Sequence, residues 1–146
     1  MENLTYILTD DSDHYRRTCI FALNRLDGIE CIGQAENGEL LLEMLKTTQP
    51  DFLFLDINMP ILDGEKALVM IKAFYPKIKV IMLSMHHDYK LTMRLLGLGA
   101  NSYITKDSDI EVFVKTIQGI TTNDTFFNAH VTRAYNYVTD NAISLN

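Results

Sequence analysis

Cysteine is scarce in this 146-residue chain: there are two, Cys19 and Cys31. Their spacing fits no zinc motif, and two thiols make a poor disulfide framework, which points to a reducing compartment. A basic excess is missing as well, with 13 Lys and Arg against 19 Asp and Glu and a formal charge of −6. Nucleic-acid surfaces show as basic patches, so residues 1–146 are not expected to bind DNA directly. No apolar run approaches the ~18 residues that span a bilayer. The start, Met1-Glu2-Asn3, has no signal-peptide character. No G-x-x-x-x-G-K-[ST] or G-x-G-x-x-G string occurs, which disfavours nucleotide binding. Low-complexity segments are absent too. The expectation is a soluble, cytoplasmic, globular protein with no membrane partner, and the length favours one domain with a short extension.

What the chain does contain is an alternation of two periodicities. Leu4 to Thr9 is β-rich, and Asp10-Asp11-Ser12-Asp13 breaks it. Tyr15, Cys19, Ala22 and Leu26 then recur on one helical face, closed by Gly28. Ile29 to Ala35 reads as a second strand, and Asn37 as the N-cap of a helix burying Leu41, Met44 and Leu45. After Pro50, the run Phe52 to Leu55 does not alternate, as in a strand covered on both faces. Ala67, Met70, Ile71 and Phe74 mark a helix, Ile78 to Ser84 a fourth strand, residues 89–98 a helix, and Ser102 to Thr105 a fifth strand. Ser108 and Glu111 form a capping box for a helix burying Ile110, Val114 and Ile117.

The strand starts near 4, 29, 51, 78 and 101 are separated by 25, 22, 27 and 23 residues, each room for one strand and one helix. Successive β-α units require right-handed crossovers. The fold class is therefore α/β: a doubly wound, five-stranded parallel sheet with helices on both faces, a flavodoxin-like three-layer sandwich. Residues 121–125 look like a linker, and Phe127, Val131, Ala134 and Val138 mark an extra C-terminal helix for docking or linking. The division expected is a domain over 1–120 and a linker with helix over 121–146.

In open parallel sheets the site lies at the carboxyl ends of the strands. There the sequence places Asp10-Asp11, Asp56, Ser84 and Lys106. Each residue alone is ordinary loop or cap material; together they are not. Three clustered carboxylates repel one another unless a cation joins them. An all-oxygen set suits Mg²⁺ over zinc or copper. Carboxylates, metal, ammonium and hydroxyl together suit phosphoryl handling, with one carboxylate able to attack phosphorus.

Asp10-Asp11, Leu55-Asp56-Ile57-Asn58-Met59-Pro60 with Asp63-Gly64, Leu83-Ser84, and Tyr103 with Lys106 resemble the receiver domains of two-component response regulators. The resemblance spans residues 3–120, and the L-D-x-x-M-P-x-x-D-G string is highly specific. It implies that Asp56 is the phosphoacceptor. Asp11, Asp56 and the Asn58 backbone carbonyl would be Mg²⁺ ligands, with Asp10 reaching the metal through water. Ser84 and Tyr103 would be the switch hydroxyl and aromatic, and Lys106 the matching lysine. On phosphorylation Ser84 is expected to turn toward the phosphoryl group and vacate space that Tyr103 fills. Asn58 and His86 match positions that tune phosphorylation rates, and His86-His87 reads as a loop and not a metal site.

The implied function is a signalling switch and not a metabolic enzyme, taking a phosphoryl group from a sensor histidine kinase and controlling an output domain. Leu83–His86, Leu96–Tyr103 and Thr105–Asp107 look most like receivers of LuxR-type helix-turn-helix regulators, and Ile143–Asn146 resembles the lead into that DNA-binding domain. Transcription regulation is thus the expected output, with homodimerisation on phosphorylation. The alternatives are a stand-alone receiver or phosphorelay shuttle, and an aspartate-nucleophile phosphatase. The phosphatase reading is weakened because its D-x-D string belongs on the first strand. A flavodoxin-like carrier would need a Ser/Thr/Gly-rich loop where this chain has Asp-Asp-Ser-Asp.

Overall fold

The computed structural model describes residues 3–142. Five strands alternate with helices: β1 Leu4–Thr9, α1 Asp13–Leu23, β2 Ile29–Ala35, α2 Gly38–Leu45, β3 Phe52–Asp56, α3 Gly64–Phe74, β4 Lys79–Ser84, α4 Tyr89–Gly97, β5 Ser102–Thr105, α5 Ile110–Thr122. A further helix, α6 Ala129–Asp140, follows. The sheet is parallel with order β2-β1-β3-β4-β5. The order reverses between β1 and β3, and the chain winds to both sides from that point.

Alternation explains the unbroken apolar run in β3. Leu53 and Leu55 join Ile7, Val80, Met82 and Tyr103 in a core closed by Leu41, Ala67, Ile71, Leu95 and Val131, so α2, α3, α4 and α6 cover that face. Phe52 and Phe54 join Tyr6, Leu8, Ile81 and Leu83 in a second core closed by Cys19, Leu23, Phe113 and Ile117 of α1 and α5. Successive side chains point to opposite faces, and both faces are dry. At about 25 cal/mol per Å² of apolar surface buried, each fully enclosed Leu or Phe contributes roughly 2 kcal/mol.

Several boundaries differ from the sequence expectation. The helix α5 is N-capped by Asp109, without a side-chain cap bond. Ser108 Oγ pairs instead with Thr105 Oγ1 at 2.8 Å, so the capping box does not form: the hydroxyl is used to close the turn behind β5. The buried side of α5 carries Phe113, Thr116, Ile117 and Ile120, while Ile110 is exposed. Met70 and Phe74 of α3 are exposed as well, because Ala67, Leu68 and Ile71 face the sheet. Phe127 lies ahead of α6 and is exposed; the inner side of α6 carries His130, Val131 and Ala134. Residues Ile143–Asn146 lie outside the described residues.

The helix α6 does not stand off the sandwich. It packs against α4 and β5. Asn128 caps it, accepting from Val131 N at 3.0 Å, and its Nδ2 donates to Tyr103 O at 2.8 Å and Thr116 Oγ1 at 3.1 Å. One side-chain amide thereby satisfies a helix end, an edge-strand carbonyl and a helical hydroxyl.

Candidate functional site

At the carboxyl end of the sheet, β1 delivers Asp10 and Asp11, β3 delivers Asp56, β4 delivers Ser84 and the turn after β5 delivers Lys106. Asp10 is held at both ends of its peptide. Its N–H donates to Ala35 O at 3.0 Å, and its carbonyl accepts from Arg16 Nη1 at 2.5 Å. Arg16 also donates from Nε to Gln34 and from Nη2 to Asp13, which fixes the β1–α1 turn. Asp10 Oδ1 accepts from Ser12 N at 2.8 Å.

Asp10, Asp11 and Asp56 each offer a carboxylate oxygen within 4.8 Å of one another, two of the residues buried and Asp11 exposed. Lys106 Nζ lies 2.5 Å from Asp10 Oδ2 and 3.3 Å from Asp56 Oδ1, and rests 4.7 Å from the centre of the Tyr15 ring. Burial pushes the Asp56 carboxyl up to about 6, the Asp10 charge adds to the rise, and Lys106 offsets part of it. Burial draws the Lys106 ammonium down, but its hydrogen bond to Asp10 and the Asp56 and Asp10 charges prevail and hold it above its ordinary value. One ammonium thus serves two buried carboxylates, with a third nearby. That deficit of positive charge and the absence of nitrogen or sulfur donors in the cluster fit a hard divalent ion such as Mg²⁺.

The loop after Asp56 is shaped by glycine and aspartate. Gly64 N–H donates to Ile57 O at 2.8 Å, and a Cβ on Gly64 would stand 2.0 Å from Asp56 O. No side chain fits there. Asp63 caps α3 by accepting from Lys66 N at 2.9 Å. The Asp63-Gly64 pair in the motif is therefore a packing and capping requirement that sets the position of Asp56. Asn58, exposed above the site, contacts His86 across 3.1 Å between Nδ2 and Nε2.

Ser84 and Tyr103 both grip one residue. Ser84 Oγ accepts from His86 N at 3.0 Å, and Tyr103 OH donates to His86 O at 2.9 Å. Tyr103 is already fully buried, with Ser84 engaged at His86. The aromatic ring thus lies inward, in contact through its hydroxyl with the residue that Ser84 holds. His87 points away, pairing with Asp107 at 3.2 Å on the surface, and takes no part in the acidic cluster. The sequence reading missed Arg16, whose contacts fix the turn after β1, and also the set Thr92, Asn128 and His130 around Tyr103. A polar residue on an otherwise apolar helical stripe, such as His130 beside Val131 and Ala134, is the one signal that could have found the latter.

Residues 7–118 match the response regulator receiver domain family. The chain is 32% identical over 114 residues to the transcriptional regulatory protein LnrK of Bacillus subtilis (strain 168), covering 78% of this chain and 52% of that protein. It is 40% identical over 108 residues to a protein-glutamate methylesterase/protein-glutamine glutaminase of Clostridium acetobutylicum, covering 73% of this chain and 31% of that protein. The RcsB response regulator of Salmonella typhimurium shares the fold, with a TM-score of 0.88 at 21% identity over 99% of this chain and 73% of that one. The chain thus spans about half the length of LnrK and a third of the methylesterase. No described helix is long and apolar enough to cross a membrane.

Proposed function

The chain belongs to the response regulator receiver family, and on that footing we propose that it is a phosphorylation-dependent switch whose acceptor is Asp56. The observation that carries the assignment is the placement of Asp56: buried, at a strand end, 3.3 Å from Lys106, within a three-carboxylate cluster served by that one ammonium. An Asp56 oxygen attacks phosphorus, the P–N bond of a sensor kinase's phosphohistidine breaks, and the departing imidazole nitrogen takes up a proton. Lys106 draws charge from the phosphoryl oxygens, and Ser84 turns from His86 N to donate to one of them. Asp11, Asp56 and the Asn58 carbonyl would hold Mg²⁺, with Asp10 reaching it through water; an ion there would offset the repulsion between the carboxylates and an incoming phosphoryl dianion.

A receiver of this kind occurs in both a transcriptional regulatory protein and a methylesterase, so output resides outside residues 7–118. The LuxR-like runs Leu96–Tyr103 and Thr105–Asp107 favour a transcriptional output through a helix-turn-helix domain, in the cytoplasm, with the receiver itself acting as a regulatory and not an enzymatic unit. The receiver runs to the end of α5 at Thr122, two residues past the expected boundary, and α6, docked on α4 and β5, leads from it toward that output.

The test is intact mass after incubation with Mg²⁺ and acetyl phosphate. The wild type gains one phosphoryl group, the gain disappears on chelation of Mg²⁺, and Asp56→Asn gains nothing. Undiminished phosphorylation of Asp56→Asn overturns the assignment.

A further inference from the structure

Four aromatic rings form a row across α4, β5 and α6. The His130 ring stacks on Tyr103 with centroids 4.9 Å apart and planes at 21°. It also meets Tyr89 at 5.5 Å, and Tyr89 in turn meets Tyr137 at 5.5 Å. His130 Nε2 pairs with Thr92 Oγ1 at 2.8 Å, so the imidazole is tied to α4 while its face lies on Tyr103. His130 and Thr92 are both buried, and Asn128 holds the Tyr103 carbonyl from the same end of α6. The edge of β5 is closed further by Ser102 Oγ donating to Phe126 O at 2.8 Å and Phe126 N donating to Asn101 O at 2.9 Å.

The consequence is steric. The ring of Tyr103 cannot swing outward without displacing His130, and His130 cannot move without breaking its pair with Thr92 or shifting α6. Docked α6 therefore requires inward Tyr103. At its other end Tyr103 is bound to His86, which Ser84 also holds. On the role proposed for Ser84, its turn toward a phosphoryl group frees room beside the Tyr103 ring and favours that same inward position.

We infer that His130 is a positioning residue for Tyr103, and that docking of α6 and phosphorylation of Asp56 strengthen one another. The inference rests on the assignment of Asp56 as acceptor. Its distinct content is that α6 is a clasp on the phosphorylated state and not a cover that phosphorylation removes. By linkage, whatever phosphorylation adds to α6 docking, docking returns to the phosphorylated site.

Hydrogen exchange of the backbone amides of residues 129–140, measured on the whole chain with Mg²⁺ and with or without beryllofluoride, reads the coupling. Exchange in α6 is expected to slow by about fivefold or more on adding beryllofluoride; unchanged or faster exchange overturns the clasp. His130→Ala removes the stack and Ala134→Arg pushes α6 away, and each should weaken beryllofluoride binding by about fivefold, while His130→Phe, which keeps a ring over Tyr103, should stay within about twofold of wild type. Equal affinities across all three overturn the role of His130. Tyr103→Ala, examined without any phosphodonor, should speed exchange in α6. That arm is independent of Asp56: unchanged exchange refutes the clasp, whereas absent mass gain in the wild type refutes only the acceptor assignment.

Discussion

Two lysines lie partly sunk in this molecule at opposite ends of the sheet, and they titrate in opposite directions. Lys106, at the carboxyl end, is held above its ordinary value, because Asp10 and Asp56 outweigh the effect of burial. Lys72, on α3, donates to Ile78 O and Asn101 Oδ1, both at 2.8 Å and both neutral. Burial pulls it down to about 8, and only exposed Asp124 resists. Depth is similar; the partners decide. At the Lys72 end every strong group is satisfied: Asn101 Oδ1 also accepts from Val80 N at 2.7 Å, and its Nδ2 donates to Asp124 O at 2.5 Å. At the Lys106 end two buried carboxylates share one cation. The first arrangement is finished and structural. The second is left short of charge, which is the condition for taking up a metal ion and a phosphoryl group.

Breaking the comparison at its reactive end should give the largest effect. Lys106→Met is expected to slow phosphorylation from acetyl phosphate by roughly 10²-fold, the usual loss for one preorganised charge donor, as read by the rate of mass gain. At the structural end, Asn101→Ala leaves Val80 N–H and the Lys72 ammonium short of an acceptor. It should lower stability by about 2–4 kcal/mol in urea unfolding, with phosphorylation of the folded fraction unchanged. A loss of phosphorylation in that variant would mean that the two ends are not separable.

Alkaline pH sharpens the contrast without a large perturbation. Lys72 binds its proton less tightly in the folded state, about 8 against an ordinary 10.5. The unfolded chain therefore holds more protons between those values, and the Lys72 contribution to stability rises with pH across that window. Lys106 has the opposite sign: its contribution is complete below the ordinary lysine value and fades as pH climbs through the raised folded one. Lys72→Met should flatten the rise between pH 8 and 10.5 in stability measured by urea at stepped pH. An unaltered slope would remove Lys72 as its source.

The smallest effect lies in acid. Burial, with the charges of His87 and Arg133, pushes the His130 imidazole down to about 4, against a weaker pull from Asp107. Tyr89 and Tyr103 face it as rings. A base depressed on folding loses its stabilising contribution as pH falls from its ordinary 6.5 through that lower value. The Asp56 carboxyl, raised to about 6, has the reverse sign and loses its contribution as pH rises through that value. Global melting averages the two. Protection factors of the amides of 129–140, corrected for the intrinsic pH dependence of exchange, separate them, and should fall at pH 5 in the wild type but not in His130→Phe.

The sequence was most legible where one periodicity ruled. All five strands and the cap at Asn37 follow from local chemistry, since apolar alternation and cap residues act within a few positions. The acidic residues and Lys106 could be placed together because the parallel topology collects strand ends on one edge. The contacts of α6 were not legible. Asn128, His130, Thr92 and Asn101 find partners 12 to 38 residues away, and no short-range pattern encodes which helix face meets which strand. Ser108 shows the reverse failure: its spacing to Glu111 satisfied a helix-start rule, but the nearby Thr105 hydroxyl competed for it.

The aromatic row has an optical consequence. The chain has seven tyrosines and no tryptophan. Its ultraviolet emission is therefore tyrosine emission, unmasked by energy transfer to indole, and Tyr89, Tyr103 and Tyr137 all stand in the row that links the switch to α6. Rings stacked on an imidazole or engaged in a phenolic hydrogen bond emit differently from rings in water. Any rearrangement of the clasp is thus written into the protein's own fluorescence, with no dye or label needed to read it.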